Sequence, residues 1–203
     1  MSSAVVVGSG PNGLACAATL AGRGVEVTVI EAAEAIGGGT RTSELTVPGL
    51  LHDECSATHP MAVSSPAVVS LGLERYGLEW AWPEVDLAHP LDGGAGATML
   101  RSLEATAAGL GEAGARWRRV FGPPSRGYDR LTEDIYHPLP HVPRHPLRLV
   151  RFGLPAAAPA TLLARALGSS EAAALFGGVA AHAYAPLHLP LSSAIGMALL
   201  CAG

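Results

Sequence analysis

The chain has 203 residues, 49% of them hydrophobic, enough for one large domain or one domain and part of another around a real core. Its formal charge is -4 and its 13 basic residues are scattered. No basic run therefore points to nucleic acid or to an anionic membrane surface.

In chain order, residues 4–7 read as a short β-branched strand, followed by a glycine-rich turn and a helix-forming run over residues 12–23. Leu14, Cys16, Ala17, Ala18 and Ala21 supply that helix with a compact apolar face, and Gly22 and Gly24 fit its stop. Val25, Val27 and Val29 then line one face of a second strand ending at Ile30-Glu31, which completes a βαβ unit. A second glycine cluster, Gly37-Gly38-Gly39, precedes Thr40-Arg41, and residues 44–60 mix short strand-like pieces with turn formers. A helix is expected over 66–77, others over 102–111 and about 113–121. Eight prolines between Gly122 and Pro159 predict irregular structure there, with at most a short helix near 128–136. Helices resume over 161–167, 171–184 and 192–202. The fold class is thus α/β: a Rossmann-like part in residues 1–65, then a mainly helical region in 66–203.

The chemistry concentrates in Gly8-Ser9-Gly10-Pro11-Asn12-Gly13, a GxGxxG between strand and helix. Gly8 permits the tight turn, Gly10 lets backbone approach a pyrophosphate, and Gly13 lets the helix pack closely on the sheet. The helix start offers unpaired N–H groups to phosphate, and Pro11 is tolerated there because no internal bond uses its nitrogen. Glu31 ends the second strand, where a carboxylate accepts from ribose hydroxyls and repels a 2′-phosphate, which argues against NADP. The fingerprint alone does not separate FAD from NAD. The second cluster favours FAD, because Gly38 and Gly39 followed by Arg41 place close-approach backbone and a cation where a pyrophosphate and flavin extend. The expected cofactor-binding set is Gly8, Ser9, Gly10, Pro11, Asn12, Gly13, Glu31, Ala32, Gly38, Gly39, Thr40 and Arg41.

The run VVVGSGPNGLACAATLAGRGVEVTVIEAAEAIGGGTRT resembles the N-terminus of the phytoene desaturase and amine-oxidase flavoprotein superfamily. The continuation ELTVPGLLHDECSATHPMAVSSP, and later AAHAYAPLHLPLSSAIGMAL, resemble its phytoene-dehydrogenase-related branch, which includes the pyridine nucleotide-disulfide oxidoreductase domain-containing proteins. The resemblance implies a two-domain FAD enzyme that transfers hydride from a lipophilic small molecule to flavin, with residues 1–65 as part of its Rossmann-like FAD/NAD(P)-binding domain and 66–203 as an incomplete, mainly helical substrate-side region. It also implies that the stretch His52-Asp53 and Ser56-Ala57 approaches the isoalloxazine. Members are usually more than twice this long and cap the flavin with a C-terminal segment, so the resemblance makes this chain an N-terminal fragment. No catalytic residue is identified. An NAD-dependent dehydrogenase and an inactive nucleotide-binding fragment are the alternatives.

Other residues carry less. His137, His141 and His145 recur every four positions, but the interleaved prolines forbid the helix that would align them, so an exposed loop and no metal are expected. His52, Asp53 and His59 read as groups near a flavin or in packed turns rather than as a metal site. Cys16, Cys55 and Cys201 are widely spaced with no CxxC pair, so neither a disulfide framework nor zinc follows. A reduced, cytoplasmic setting is the default. Cys55 is expected to be buried and inert, and Trp80 and Trp82 to be packed. No secretory leader is visible, and no apolar stretch reaches the roughly 18 residues a spanning helix needs. A peripheral membrane contact and the oligomeric state stay open.

Overall fold

The valines that open the chain extend into strand β1 (Ser3–Val7), followed by helix α1 (Pro11–Ala21) and strand β2 (Glu26–Ile30). The strands pair in parallel, from Ser3 opposite Glu26 to Val7 opposite Ile30, as a βαβ crossover demands. The computed structural model describes residues 2–138 and 140–202. They fall into two units, Met1–Val63 with Ala67–Leu78, and Ser64–Pro66 with Glu79–Gly203.

In the first unit, α1 ends where Gly22 donates to the Ala18 carbonyl, and Gly24 turns the chain at φ +81°. Alternation along β1 sends Val6 toward α1 and leaves Val5 and Val7 exposed, at 63% and 81%. After β2 a 3-10 turn (Gly38–Thr40) leads into strands β3 (Thr42–Ser43) and β4 (His52–Asp53), which pair antiparallel. The helix expected over 66–77 is shorter: α2 (Pro66–Leu71) stops at Gly72, whose left-handed φ of +59° separates it from a 3-10 turn, Leu73–Tyr76.

The second unit opens with an antiparallel hairpin that the sequence pattern does not announce, β5 (Val85–Pro90) and β6 (Gly96–Leu100). Helices follow: α3 (Leu103–Gly109), α4 (Gly114–Ser125), α5 (Tyr128–Ile135), α6 (Pro146–Ala157), α7 (Ala160–Leu167), α8 (Ser170–Ala180) and α9 (Ala194–Ala202). The Ser102 and Ser169 hydroxyls cap α3 and α8, accepting from Ala105 and Ala172 amides. The core is built on Trp117, Phe121 and Phe176, with ring centroids 4.2 and 6.0 Å apart, and on Leu131, Leu167, Leu175 and Met197.

Three expectations for this unit are corrected. The proline-dense stretch holds a 12-residue helix, α6: Pro146 occupies its first turn, where no intrahelical bond uses its nitrogen, and Pro155 falls only in its last turn. Trp82 is exposed rather than packed, with the Arg101 guanidinium 3.9 Å above its ring. His141 is not in an exposed loop: its side chain is 11% exposed, Nε2 lies 3.5 Å from Oδ1 of the buried Asp134, and its ring stacks on His137. Asp134 gathers this loop by accepting from the Arg144 and His145 amides at 2.8 and 2.9 Å, which hold its carboxyl below the ordinary value despite the opposing effect of burial. Among the described residues no three His, Cys, Asp or Glu side chains could share a metal ion, and no single helix is long and apolar enough to cross a membrane.

Candidate dinucleotide-binding site

At the C-terminal end of β1, Gly8 leaves the strand at φ +93°, its amide donating to the Ile30 carbonyl at 2.7 Å. Gly10 is the N-cap of α1, and the Leu14 amide donates to its carbonyl at 2.9 Å. Pro11 and Asn12 form the exposed first turn, where amides lack partners within the helix. Gly13 lies under the turn: a Cβ there would sit 2.1 Å from the Gly8 carbonyl oxygen. The helix therefore reaches the strand end only because Gly13 has no side chain.

The second glycine cluster docks on the first. The Gly37 amide donates to the Ser9 carbonyl at 3.0 Å, and a Cβ on Gly38 would come within 2.9 Å of the Gly10 Cα. Gly37 and Gly38 have φ of +111° and +55°, and the Thr40 hydroxyl closes the turn on the Gly37 carbonyl at 2.7 Å. Two glycine turns, separated by about thirty residues of chain, thus form one shelf of bare backbone beside the start of α1. Such a shelf has the chemistry of a pyrophosphate seat: amide donors, a helix N-terminus and no side chains in the way.

Glu31 sits beside this shelf. Its Oε2 accepts from the Ser9 amide at 2.8 Å and the Ser9 hydroxyl at 2.5 Å, while Oε1 accepts from the Ala33 amide at 2.9 Å. The Ser9 hydroxyl, then the Ala33 and Ser9 amides, with a smaller share from Ala32, hold the carboxyl at about 2. It is ionised at neutral pH, and Oε1 keeps an open lone pair. Because the value is depressed, the ion stabilises the turn above the ordinary carboxylate range, and that stabilisation is lost as pH falls through about 2. Ser9→Ala is expected to raise the Glu31 value toward that of a free glutamate, read by a carbon-13 carboxyl titration. An unchanged value would mean that the backbone amides alone hold the ion.

Arg41 is held against the second glycine turn. Its Nε donates to the Gly38 carbonyl at 2.9 Å and Nη1 to that of Ala35 at 3.4 Å, and Glu54 lies 3.8 Å from Nε. The guanidinium braces the second glycine turn, and Nη2 makes no hydrogen bond among the described residues. The Glu54 amide returns to the Arg41 carbonyl at 2.9 Å, which brings β4 and Cys55 alongside. Cys55, expected to be buried, is exposed, with its Cβ 3.5 Å from the position a Gly39 Cβ would take. His52 and Asp53 are bound locally, to the Thr46 and Thr42 hydroxyls. Cys201 is buried, and burial pushes its thiol up to about 12. The Ser9–Glu31 and Arg41–Glu54 pairings were missed, since they join residues 22 and 13 positions apart with no periodic signal.

Residues 6–71 match the model of the NAD(P)-binding Rossmann-like domain. Among solved structures, the chain is similar to wild-type putrescine oxidase bound to putrescine, with a TM-score of 0.54 at 23% identity over 98% of this chain and 41% of that one. It is also similar to single and double mutants from a redesign of cofactor binding in putrescine oxidase, with TM-scores of 0.52 and 0.55 at 22% and 21% identity. Each match covers 98% of this chain, and 41% and 43% of the single and double mutant chains respectively. The chain thus spans less than half the length of those proteins, and the likeness is one of fold. No curated protein sequence matches it.

Proposed function

We propose that this chain is the dinucleotide-binding portion of an FAD-dependent oxidoreductase, with a lipophilic small-molecule substrate of the phytoene dehydrogenase-like kind. The observation that carries the reading is the docking of the second glycine turn on the GxGxxG turn, which joins the two into one bare-backbone shelf beside the start of α1. The fold it shares with putrescine oxidase supports the same reading.

In this reading Gly8, Ser9, Gly10, Pro11, Asn12 and Gly13 seat the pyrophosphate against the start of α1. Glu31 and Ala32 hold the adenosine ribose, and Gly38, Gly39, Thr40 and Arg41 flank the second phosphate and the flavin side. When bound, FAD supplies the two-electron acceptor chemistry that no side chain here can provide. The chain's own work is to bind and orient: the glycines keep side chains out, the helix start offsets phosphate charge, and ionised Glu31 rejects a 2′-phosphate. His52, Asp53, Ser56 and Ala57 would lie toward the ring.

The test is calorimetric titration of the purified chain with FAD, ADP-ribose, NAD and 2′-phospho-ADP-ribose, with amide shifts at Gly8 to Gly13 as the site readout. FAD and ADP-ribose are expected to bind at this turn, with the 2′-phosphate compound at least about tenfold weaker. NAD binding without FAD binding would favour a dehydrogenase instead. Binding of none of these would mean that the chain alone is an inactive fragment.

A further inference from the structure

We infer that Arg41 serves the dinucleotide as a positioning residue, with Glu54 as its counter-ion: it shapes the second glycine turn and does not clamp a phosphate. The inference rests on the dinucleotide reading given above. Three contacts tie Arg41 to the turn it follows. Nε donates to the Gly38 carbonyl at 2.9 Å, and Nη1 to that of Ala35 at 3.4 Å. Its aliphatic stem lies over Gly37, where a Cβ would come 3.2 Å from the Arg41 Cγ. Gly37 and Gly38 are the residues that meet the first glycine turn, Gly37 through its amide and Gly38 through its close approach to Gly10. Whatever holds these two residues also holds the shelf.

Glu54 fixes the guanidinium in turn. Its Oε2 lies 3.8 Å from Arg41 Nε, while Oε1 accepts from the Ser43 hydroxyl at 3.0 Å. Its amide donates to the Arg41 carbonyl at 2.9 Å, so the β3–β4 hairpin is fastened to the arginine at both ends of the residue. The charge of this unit points the same way. Arg23, Arg41 and Arg75 are its three Lys or Arg residues, against seven acidic ones. Arg23 follows the C-terminal end of α1, away from the glycine turns, and Arg75 Nε donates to the Gly72 carbonyl. Arg41 is therefore the one arginine at the shelf, and its fork faces carbonyls of its own turn. An arginine that clamps phosphate turns that fork to the ligand. Here the seat itself consists of backbone amides and a helix start, which bind an anion without a side-chain cation.

The test compares Arg41→Lys, which keeps the charge but loses the fork, with Arg41→Gln and Glu54→Gln. In the ligand-free 203-residue chain, hydrogen exchange at the Gly37 amide reads the turn. Both Arg41 variants are expected to speed it by about tenfold or more. Glu54→Gln is expected to speed it by no more than about threefold, because that pair is partly exposed. In calorimetry both Arg41 variants are expected to weaken ADP-ribose binding alike, by about tenfold. Glu54→Gln is expected to leave that binding within about threefold. Rescue of binding by Arg41→Lys overturns the inference, since charge would then be the working part. So does clearly tighter binding in Glu54→Gln, which would mean that the charge of Arg41 reaches the phosphate. Unchanged Gly37 exchange in both Arg41 variants overturns it as well. If the unsubstituted chain does not bind ADP-ribose, the dinucleotide reading falls, and the exchange rates still decide the brace.

Discussion

Replacing Gly13 by alanine is expected to destabilise the first unit by about 2–3 kcal/mol and to abolish nucleotide binding. The methyl group would stand 2.1 Å from the Gly8 carbonyl oxygen and 3.2 Å from its carbon, and both are backbone atoms. Neither can swing aside as a side-chain tip can, so α1 must lift from the end of β1 and take the shelf with it. Gly24→Ala is the contrast: nothing lies within 4 Å of its Cβ position, and only its φ of +81° is penalised. That variant should lose about 1 kcal/mol and keep its ligand. Urea unfolding followed at β1 and α1 amides, with calorimetry on ADP-ribose, separates the two. Retained binding in the Gly13 variant would show that the close approach is not what shapes the site.

Phe176→Ala should cost the second unit about 3–5 kcal/mol, the largest stability loss expected from a single core truncation here. The ring is fully buried and lies between Phe121 and α9. On the α9 side its neighbour is Gly196, where a Cβ would come 3.0 Å from the ring, so no side chain is there to collapse into the space. The cavity therefore persists, which places the cost in the upper part of that range. Leu162→Ala, more than half exposed, should stay within about 0.5 kcal/mol. Urea midpoints measure both; a Phe176 loss below about 2 kcal/mol would mean that the helices repack.

What was legible beforehand is what chain-local physics dictates. Gly13 reads as a close-packing glycine from its place in the motif, and Glu31 as an acid from its place at the strand end. Both stand where that reading puts them. The hairpin β5–β6 was hidden because Pro90 and a run of glycines at its turn look like loop, while its pairing joins residues up to 15 apart. Helix α6 is masked by the density of prolines around it, although position decides: Pro146 forgoes a bond the first turn never makes. The partners of Glu31 and Arg41 are tertiary, and no spacing announces them. Cys55 reads as a small hydrophobe until β4 returns to Arg41 and leaves it at the surface.

Among the described residues β1 pairs with β2 alone, and Val5 and Val7 are exposed on one face of that pair. A strand edge with free amides and carbonyls and a bare valine face adds whatever extended segment reaches it first. How this chain behaves in the hand therefore depends on crowding as well as on free energy. In dilute solution the edge meets only water, and its outward amides trade their hydrogens quickly. At high concentration this edge is expected to pair with a second copy, which light scattering over a dilution series checks.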